Sequence, residues 1–358
     1  MLELIAGARQ SIRFETYIWR ADSVGNRFRA ALVAAAKRGV RVHVLVDGFG
    51  SASLPNQYWH DLTAAGGQAR IFNPLSWRHL ALRDHRKLLL VDHAVAVVGG
   101  FNIGTEYDGD GITKGWRDLG LELHQPQALG QLAESFDSLF RDHRLRRWLL
   151  RPFRKGALRW PLYFRRIGPV LFSGPRVVRH QFSLHLLREL KHAKHVQIMS
   201  AYFLPGFRLR RALRRIAHRG GTVELILAGK TDVAIAQTAA RSIYGPLLRS
   251  GVRIWEYQPQ VLHAKLALID GTVFAGTSNL DARSLGINYE LMVRLPDPVL
   301  AEEAAQSFSA DLAQSREITL ADWRSSRTWL TRIRGAWARF LLTKVDPWIA
   351  RRQVRDVP

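Results

Sequence analysis

No cysteine occurs among the 358 residues. Disulfides and thiolate metal sites are therefore excluded, and the composition fits a reducing compartment. No uninterrupted apolar run reaches the roughly 18–20 residues needed to cross a bilayer. The opening stretch, Met1 to Ala6, is too short and too little basic for a signal peptide. Low-complexity segments are also missing, and 47% of the residues are hydrophobic, so a packed core is expected. The length suffices for one large domain or two ordinary ones. Acids are scarce: 30 Asp and Glu stand against 53 Lys and Arg, a formal charge of +23. That balance favours a polyanionic partner, either nucleic acid or an anionic membrane surface. Charge alone does not choose between them.

Two segments resemble each other. Ala8–Trp19 is followed by an amphipathic helix near Asn26–Arg38, a glycine stop at Gly39 and an apolar strand over Val40–Val46. Ala193–Phe203 is followed by a helix near Phe207–Arg219, a stop at Gly220-Gly221 and a strand over Thr222–Leu227. Each reads strand, helix, glycine stop, strand, which is a βαβ unit with parallel strands and a right-handed crossover. The repeated order predicts an α/β fold of two similar halves made by internal duplication. The expected division is a first half over residues 1–150, a basic aromatic linker over 151–170, a second half over 171–316 and a basic helical tail over 317–358. The basic stretch around the linker carries Arg144, Arg146, Arg147, Arg151, Arg154, Lys155 and Arg159 between Trp148, Phe153, Trp160 and Tyr163. In the tail, Leu330, Ile333, Trp337, Leu341, Val345 and Trp348 recur at three- and four-residue spacing, with Arg327, Arg332, Arg334, Arg339 and Lys344 beside and between them. This stripe either packs on the core or meets a membrane surface.

The chemistry is concentrated in a repeated motif. The first half contains His85-Arg-Lys87, four apolar residues, Asp92, and then Gly99-Gly-Phe-Asn102. The second contains His263-Ala-Lys265, four apolar residues, Asp270, and then Gly276-Thr-Ser-Asn279. His and Lys two apart on a strand point to one face. Asn102 and Asn279 lie past a second short strand, so each folds back beside its His–Lys pair. Each half thus offers an imidazole, an ammonium and an amide to a tetrahedral anion. Two halves facing each other offer a nucleophile, a proton donor and charge stabilisation for phosphodiester exchange. A lone His-x-Lys-x4-Asp match is weak; two, each followed by Gly and Asn inside duplicated halves, are specific. Neither motif has the clustered carboxylates of a magnesium or calcium site, so no metal and no cofactor is expected. Asp92 and Asp270, at strand ends, read as structural acids that cap turns or pair with arginine.

These residues resemble the phospholipase D superfamily, and within it bacterial cardiolipin synthases of the type without membrane-spanning helices. Further stretches carry the resemblance: Glu15–Trp19, Val46–Ser51, Leu62–Gly66, Trp116–Asp118, Ser278–Ser284 and Asn288–Glu290. It covers Ala8 to about Leu295. It implies two phospholipase D-like halves packed pseudo-symmetrically around one site. By position, His85 is the implied nucleophile and His263 the implied acid and base. Lys87, Lys265, Asn102 and Asn279 hold the phosphoryl oxygens. Asp118 and Glu290 match the acids that orient the imidazoles, the other reading being surface or capping acids. The sequence departs from the family in two ways. Family members have a strand and a helix start ahead of the position of Met1, so the first sheet is expected to have an incomplete edge or the start to be misassigned. Asn102 also lies one residue further from its motif than Asn279, which implies different turns.

The implied activity is phosphatidyl transfer to phosphatidylglycerol through a phosphohistidine, by a peripheral protein on the cytoplasmic side of the bacterial membrane. Its partners are anionic phospholipids, with phosphatidylglycerol or phosphatidylethanolamine as donor. A hydrolase or nuclease of the same superfamily is the alternative, although no nucleic-acid module is recognisable. A non-catalytic membrane protein is disfavoured because both motifs are intact.

Overall fold

Glycine stops and buried apolar runs lay out two sheets in series. The computed structural model describes residues 1–74, 82–141, 168–174 and 181–355, without side chains over 351–355. The first half runs α1 (Leu2–Gly7), β1 (Ser11–Thr16), α2 (Ser23–Lys37), β2 (Arg41–Asp47), α3 (His60–Ala64), β3 (Gln68–Phe72), β4 (Leu88–Val91), β5 (Val95–Gly99), β6 (Gly120–Leu123) and α4 (Pro126–Arg141). The second begins with β7 (Val170–Ser173), α5 (Gln181–Glu189), β8 (His195–Ser200), α6 (Phe207–His218) and β9 (Thr222–Lys230). It continues with α7 (Ala234–Arg241), α8 (Tyr244–Leu248), β10 (Arg253–Val261), β11 (Lys265–Ile269), β12 (Thr272–Gly276), β13 (Glu290–Leu295), α9 (Pro298–Ala313) and β14 (Ser315–Glu317). Three helices, α10 (Leu320–Ser325), α11 (Trp329–Phe340) and α12 (Asp346–Arg355), close the chain, the last two joined through a π-helical segment, Leu341–Val345.

The first sheet has the order β3-β2-β1-β4-β5-β6 and the second β14-β10-β9-β8-β11-β12-β13-β7. Within each, the βαβ unit pairs parallel strands, β1 with β2 and β8 with β9, as the repeated pattern predicts. The motif strand then adds antiparallel, β4 on β1 and β11 on β8. Gly39 and Gly220 end α2 and α6 at φ +90° and +81°, a region closed to most side chains. The second sheet is longer by β14 at one edge and β7 at the other, where the first sheet ends on β6. Val170, expected in the linker, opens β7, because Val170, Leu171 and Phe172 are a buried apolar run that pairs with β13. The basic aromatic stretch from 142 to 167 lies outside the described residues.

The extra residue of the first motif falls in the turn. Asp270-Gly271 is a two-residue hairpin with both φ positive, the type that twists with its strands, whereas β4 and β5 are joined by three residues, Asp92-His-Ala. Both aspartates tie the turn to the start of the neighbouring strand. Asp92 accepts the backbone N–H groups of Arg9, Gln10 and Ser11 at 2.7–2.8 Å. Asp270 accepts those of Lys194 and His195, the latter at 2.7 Å.

The halves share a core. Leu45, Leu88, Leu132 and Phe136 of the first pack with Phe172, Tyr289, Leu291 and Val293 of the second. Burying surface of this kind contributes about 25 cal/mol per Å² of apolar area. Across the junction the backbone is laced twice, Asp84 bridging to Tyr289 and Arg117 to Leu262. The amide of His85 donates to Tyr289 O at 3.0 Å, and that of His263 to Arg117 O at 2.7 Å. The residues just before Glu290 and Asp118, Tyr289 and Arg117, are therefore backbone neighbours of the opposite motif, and this positions the site.

Candidate active site

His85 and His263 stand just before β4 and β11, not within them, and Lys265 is the first residue of β11. The two-residue spacing predicts His and Lys on one strand face; the backbone is still leaving the interface bridges there and becomes regular only at Lys265 in the second half and at Leu88, one past Lys87, in the first. The consequence is the same, since each lysine curls back to its own histidine. Lys87 Nζ donates to His85 O at 2.7 Å, and Lys265 Nζ donates to His263 O. All four residues are buried or nearly so.

Each imidazole is held by an acid of the opposite half. His85 Nδ1 lies 3.0 and 3.1 Å from the two oxygens of Glu290, and His263 Nδ1 lies 2.6 Å from Asp118 Oδ2. An Nδ1–H shared with a carboxylate leaves Nε2 with its lone pair, ready to attack or to take a proton. Aromatic rings fix the planes: Tyr17 sits 4.9 Å from the His85 ring, while Tyr107 and Trp116 sit 5.5 and 5.4 Å from that of His263.

The turns before the asparagines are built to suit these acids. At Gly100 a Cβ would stand 2.2 Å from Asp118 Oδ1, so only glycine admits the carboxylate. The structural counterpart of Gly100 is Thr277, whose hydroxyl donates to Glu290 Oε2 at 2.5 Å. Asn102 Oδ1 accepts from Ile18 N at 3.1 Å, and its amide nitrogen donates to the Tyr107 hydroxyl at 2.6 Å. Asn279 is buried with its carbonyl oxygen unpartnered.

Burial dominates the electrostatics. It lowers the His85 pKa well below the ordinary range, with Lys87 and Lys265 adding to the effect. His263 is lowered to about 4 by burial and then Lys265, against the pull of Asp118. Lys87 falls to about 7 and Lys265 to about 8, again through burial. Burial lifts Glu290 to about 8, against the attraction of Lys87. Every group is pushed towards its neutral form, so an anion between the two lysines would restore their charge. Among the described residues, no three His, Asp or Glu side chains converge as metal ligands would.

Both histidines and both asparagines line one cavity of about 410 Å³. Its walls mix polar groups with Ile18, Phe203, Leu204, Val233 and Leu342.

A family model described as "Cardiolipin synthase, PLD-like domain" matches residues 1–140 and 186–312. Cardiolipin synthase B of Escherichia coli K12 is 33% identical over 340 residues, 92% of this chain and 81% of that protein. The chain belongs to the cardiolipin synthase family of phospholipase D-like proteins. Cardiolipin synthase A of Pseudomonas aeruginosa is 36% identical over 340 residues, covering 91% of this chain and 67% of that one. The fold matches the crystal structure of phosphatidylserine synthase from Haemophilus influenzae Rd KW20, with a TM-score of 0.72 at 15% identity, over 98% of this chain and 91% of the other. The expected α/β class with two phospholipase D-like halves is thus the observed one.

In this phospholipase D-like site, several groups carry no role in the sequence reading. Tyr17, Trp116, Asp281, Arg283 and Asn288 lie within the stretches that carry the family resemblance, so a signal existed but not a function. Asn288 is buried, the other four are partly exposed, and each lines the cavity. Tyr202 donates to Asp232 at 2.6 Å, and Asp346 of the tail pairs with Arg283 at 3.0 Å. No local pattern announces Tyr202, Asp232, Leu342 or Asp346 as cavity residues; the chain returns to the site from far away.

Proposed function

We propose that the chain is a phosphatidyltransferase that makes cardiolipin from phosphatidylglycerol through a phosphohistidine. The supporting observation is the pair of imidazoles in one cavity, each with Nδ1 engaged by an acid from the other half. Neutral His85 attacks phosphorus through Nε2, forming the N–P bond while the P–O bond to the leaving glycerol breaks. His263, carrying a proton beside Asp118, gives it to the leaving oxygen. Its close carboxylate contact of 2.6 Å favours the charged imidazole once a phosphate offsets the lysines. The neutral His263 then takes the hydroxyl proton of a second phosphatidylglycerol, whose oxygen displaces His85 and yields cardiolipin. Lys87, Lys265 and the amides of Asn102 and Asn279 stabilise the added charge on the five-coordinate phosphorus. Asp118 and Glu290 act as positioning acids, and Asp92 and Asp270 as turn ties. The scheme uses no metal, and a chelator should leave the rate unchanged. The apolar part of the cavity wall favours transfer over hydrolysis by limiting water. The protein works at the cytoplasmic surface of the bacterial membrane; among the described residues no helix is long and apolar enough to cross one.

Labelled phosphatidylglycerol in anionic vesicles, resolved by thin-layer chromatography, tests this. Cardiolipin and free glycerol are expected, and neither with His85→Ala. Phosphatidic acid alone would make the protein a hydrolase. Cleavage of added DNA or RNA without lipid turnover would make it a nuclease. Label in phosphatidylethanolamine instead identifies the donor.

A further inference from the structure

The C-terminal helix α11 is inside out. A surface helix normally turns its large apolar residues to the core. Here the residues against the body are small: Gly335 and Ala338 are buried, and a Cβ at Gly335 would stand 3.0 Å from Ser242 Cβ beside α7. The large apolar side chains face away. Trp329, Leu330, Ile333, Trp337 and Phe340, with Trp348 of α12, are between 46% and 68% exposed. At 100° per residue, Trp329, Ile333, Trp337 and Phe340 fall within roughly 80° of arc, a continuous stripe. The sequence left open whether the tail's stripe packs on the core; the structure has it outward.

The stripe has basic flanks. Arg332, Arg334, Arg339 and Lys344 are exposed beside it. Helix α6 adds Arg208, Arg211, Arg214 and Arg215, all exposed. The two helices meet in charge: burial and then Arg339 and Arg214 lower the Arg210 pKa, and Arg210 Nε is buried without a hydrogen-bond partner. Such like-charge crowding is relieved by anions.

We propose that this face docks the protein on an anionic bilayer, with the tryptophans and Ile333 in the interface and the arginines on lipid phosphates. Two features favour a bilayer over a second copy of the chain. Self-association through this face would set its arginines against each other. Tryptophan with flanking arginine is the side-chain pair that the membrane interface accommodates. The placement also serves catalysis. Downstream of α11 the same segment supplies Leu342 and Asp346 to the cavity wall, and α7, on which α11 packs, begins beside Val233 and Ala236, also in that wall. Val233 and Ile235 are themselves exposed apolar residues. A lipid substrate would thus pass from bilayer to cavity without crossing water. This last step rests on the phosphatidyltransferase reading; the docking does not.

The test uses the full chain and vesicles of phosphatidylcholine with or without phosphatidylglycerol. Flotation with the anionic vesicles only, weakening as salt rises, is expected of the wild type. Trp329→Ser/Ile333→Ser/Trp337→Ser should lower vesicle affinity at least about tenfold, which is about 1.4 kcal/mol. It should keep the melting temperature and the turnover of dispersed short-chain phosphatidylglycerol. Because the chain lacks cysteine, Trp337→Cys can carry an environment-sensitive dye; it should shift to the blue on anionic vesicles, while a dye on Glu302→Cys should not. A triple variant that binds like the wild type, a silent dye at position 337 on bound protein, or a lipid-free dimer that the triple variant dissolves would each overturn the proposal. Stripe-dependent binding without any lipid turnover would uphold docking and reject the phosphatidyltransferase reading instead.

Discussion

The two halves have one frame and different interiors beneath their histidines. In the first, Arg86 donates to Glu15 at 2.5 and 2.8 Å, lies 3.5 Å from Asp84 and also donates to Ser135, all buried. The strand registers place Met199, Leu262 and Ala264 at the corresponding positions of the second half, all apolar and buried. A duplicated scaffold thus tolerates either a buried charge network centred on one guanidinium, with Glu15 Oε2 and Asp84 Oδ2 left without hydrogen-bond partners, or hydrocarbon at one site. Removing the cation from such a network, and leaving its buried acids, is expected to be costly. The partner acids differ as well: Asp118 with Gly100 in one half, Glu290 with Thr277 in the other. A shorter carboxylate approaches over a bare glycine; a longer one needs a hydroxyl to steady it. The halves are alike where the backbone must be laid out and unlike where side chains meet.

The largest effect should come from the histidines. His85→Ala is expected to abolish turnover, and His263→Ala to slow it by about 10²–10⁴. A normal rate in either variant would rule out the two-histidine scheme. Quenching phosphorus-labelled turnover in mildly alkaline denaturant, where the phosphorus–nitrogen bond survives, should leave the label on His85; label on His263 would reverse the roles and the sense of the comparison.

Next is the buried network. Arg86→Ala alone leaves Glu15 and Asp84 without their cation and should cost about 3–5 kcal/mol in denaturant unfolding. Glu15→Met with Asp84→Leu and Arg86→Ala, which copies the second half, should recover most of that loss. If the triple variant is no better than the single one, the network serves a purpose that the second half lacks.

Smaller effects should separate the acids. Gly100→Ala pushes Asp118 off His263 and should slow turnover about 10²-fold, the scale of a 1 Å displacement of a catalytic group. Thr277→Ala removes one hydrogen bond to Glu290, about 1 kcal/mol, and should cost less than tenfold. Equal losses would show that the two imidazoles depend on their acids alike.

The gentlest test is pH. Lys87 and Lys265 have folded pKa values of about 7 and about 8, against an ordinary 10.5. Between pH 8 and 10 the unfolded chain therefore binds more protons than the folded one at these sites, so stability should rise with pH. The slope should shrink in Lys87→Met and Lys265→Met, and in phosphate buffer, where an anion keeps the lysines charged. A slope unchanged in the double variant would place its origin elsewhere.

Much of this was legible in the residues. Two His-x-Lys-x4-Asp motifs, their glycines and asparagines and the repeated strand-helix-strand pattern determine the α/β class, the duplication and the chemical groups on offer, because they rest on local periodicity and spacing. Even the one-residue difference before Asn102 could be read, and it is the Asp92–Ala94 turn. Other features depend on contacts between residues far apart in the chain, which no spacing encodes. Only the tertiary structure decided that each acid serves the other half's histidine, across 205 residues for Glu290 and 145 for Asp118. It alone returned Asp346 to Arg283 and the cavity, 63 residues on. It also turned the tail's tryptophans outward, since a 3.6-residue period marks a face but not what that face will meet.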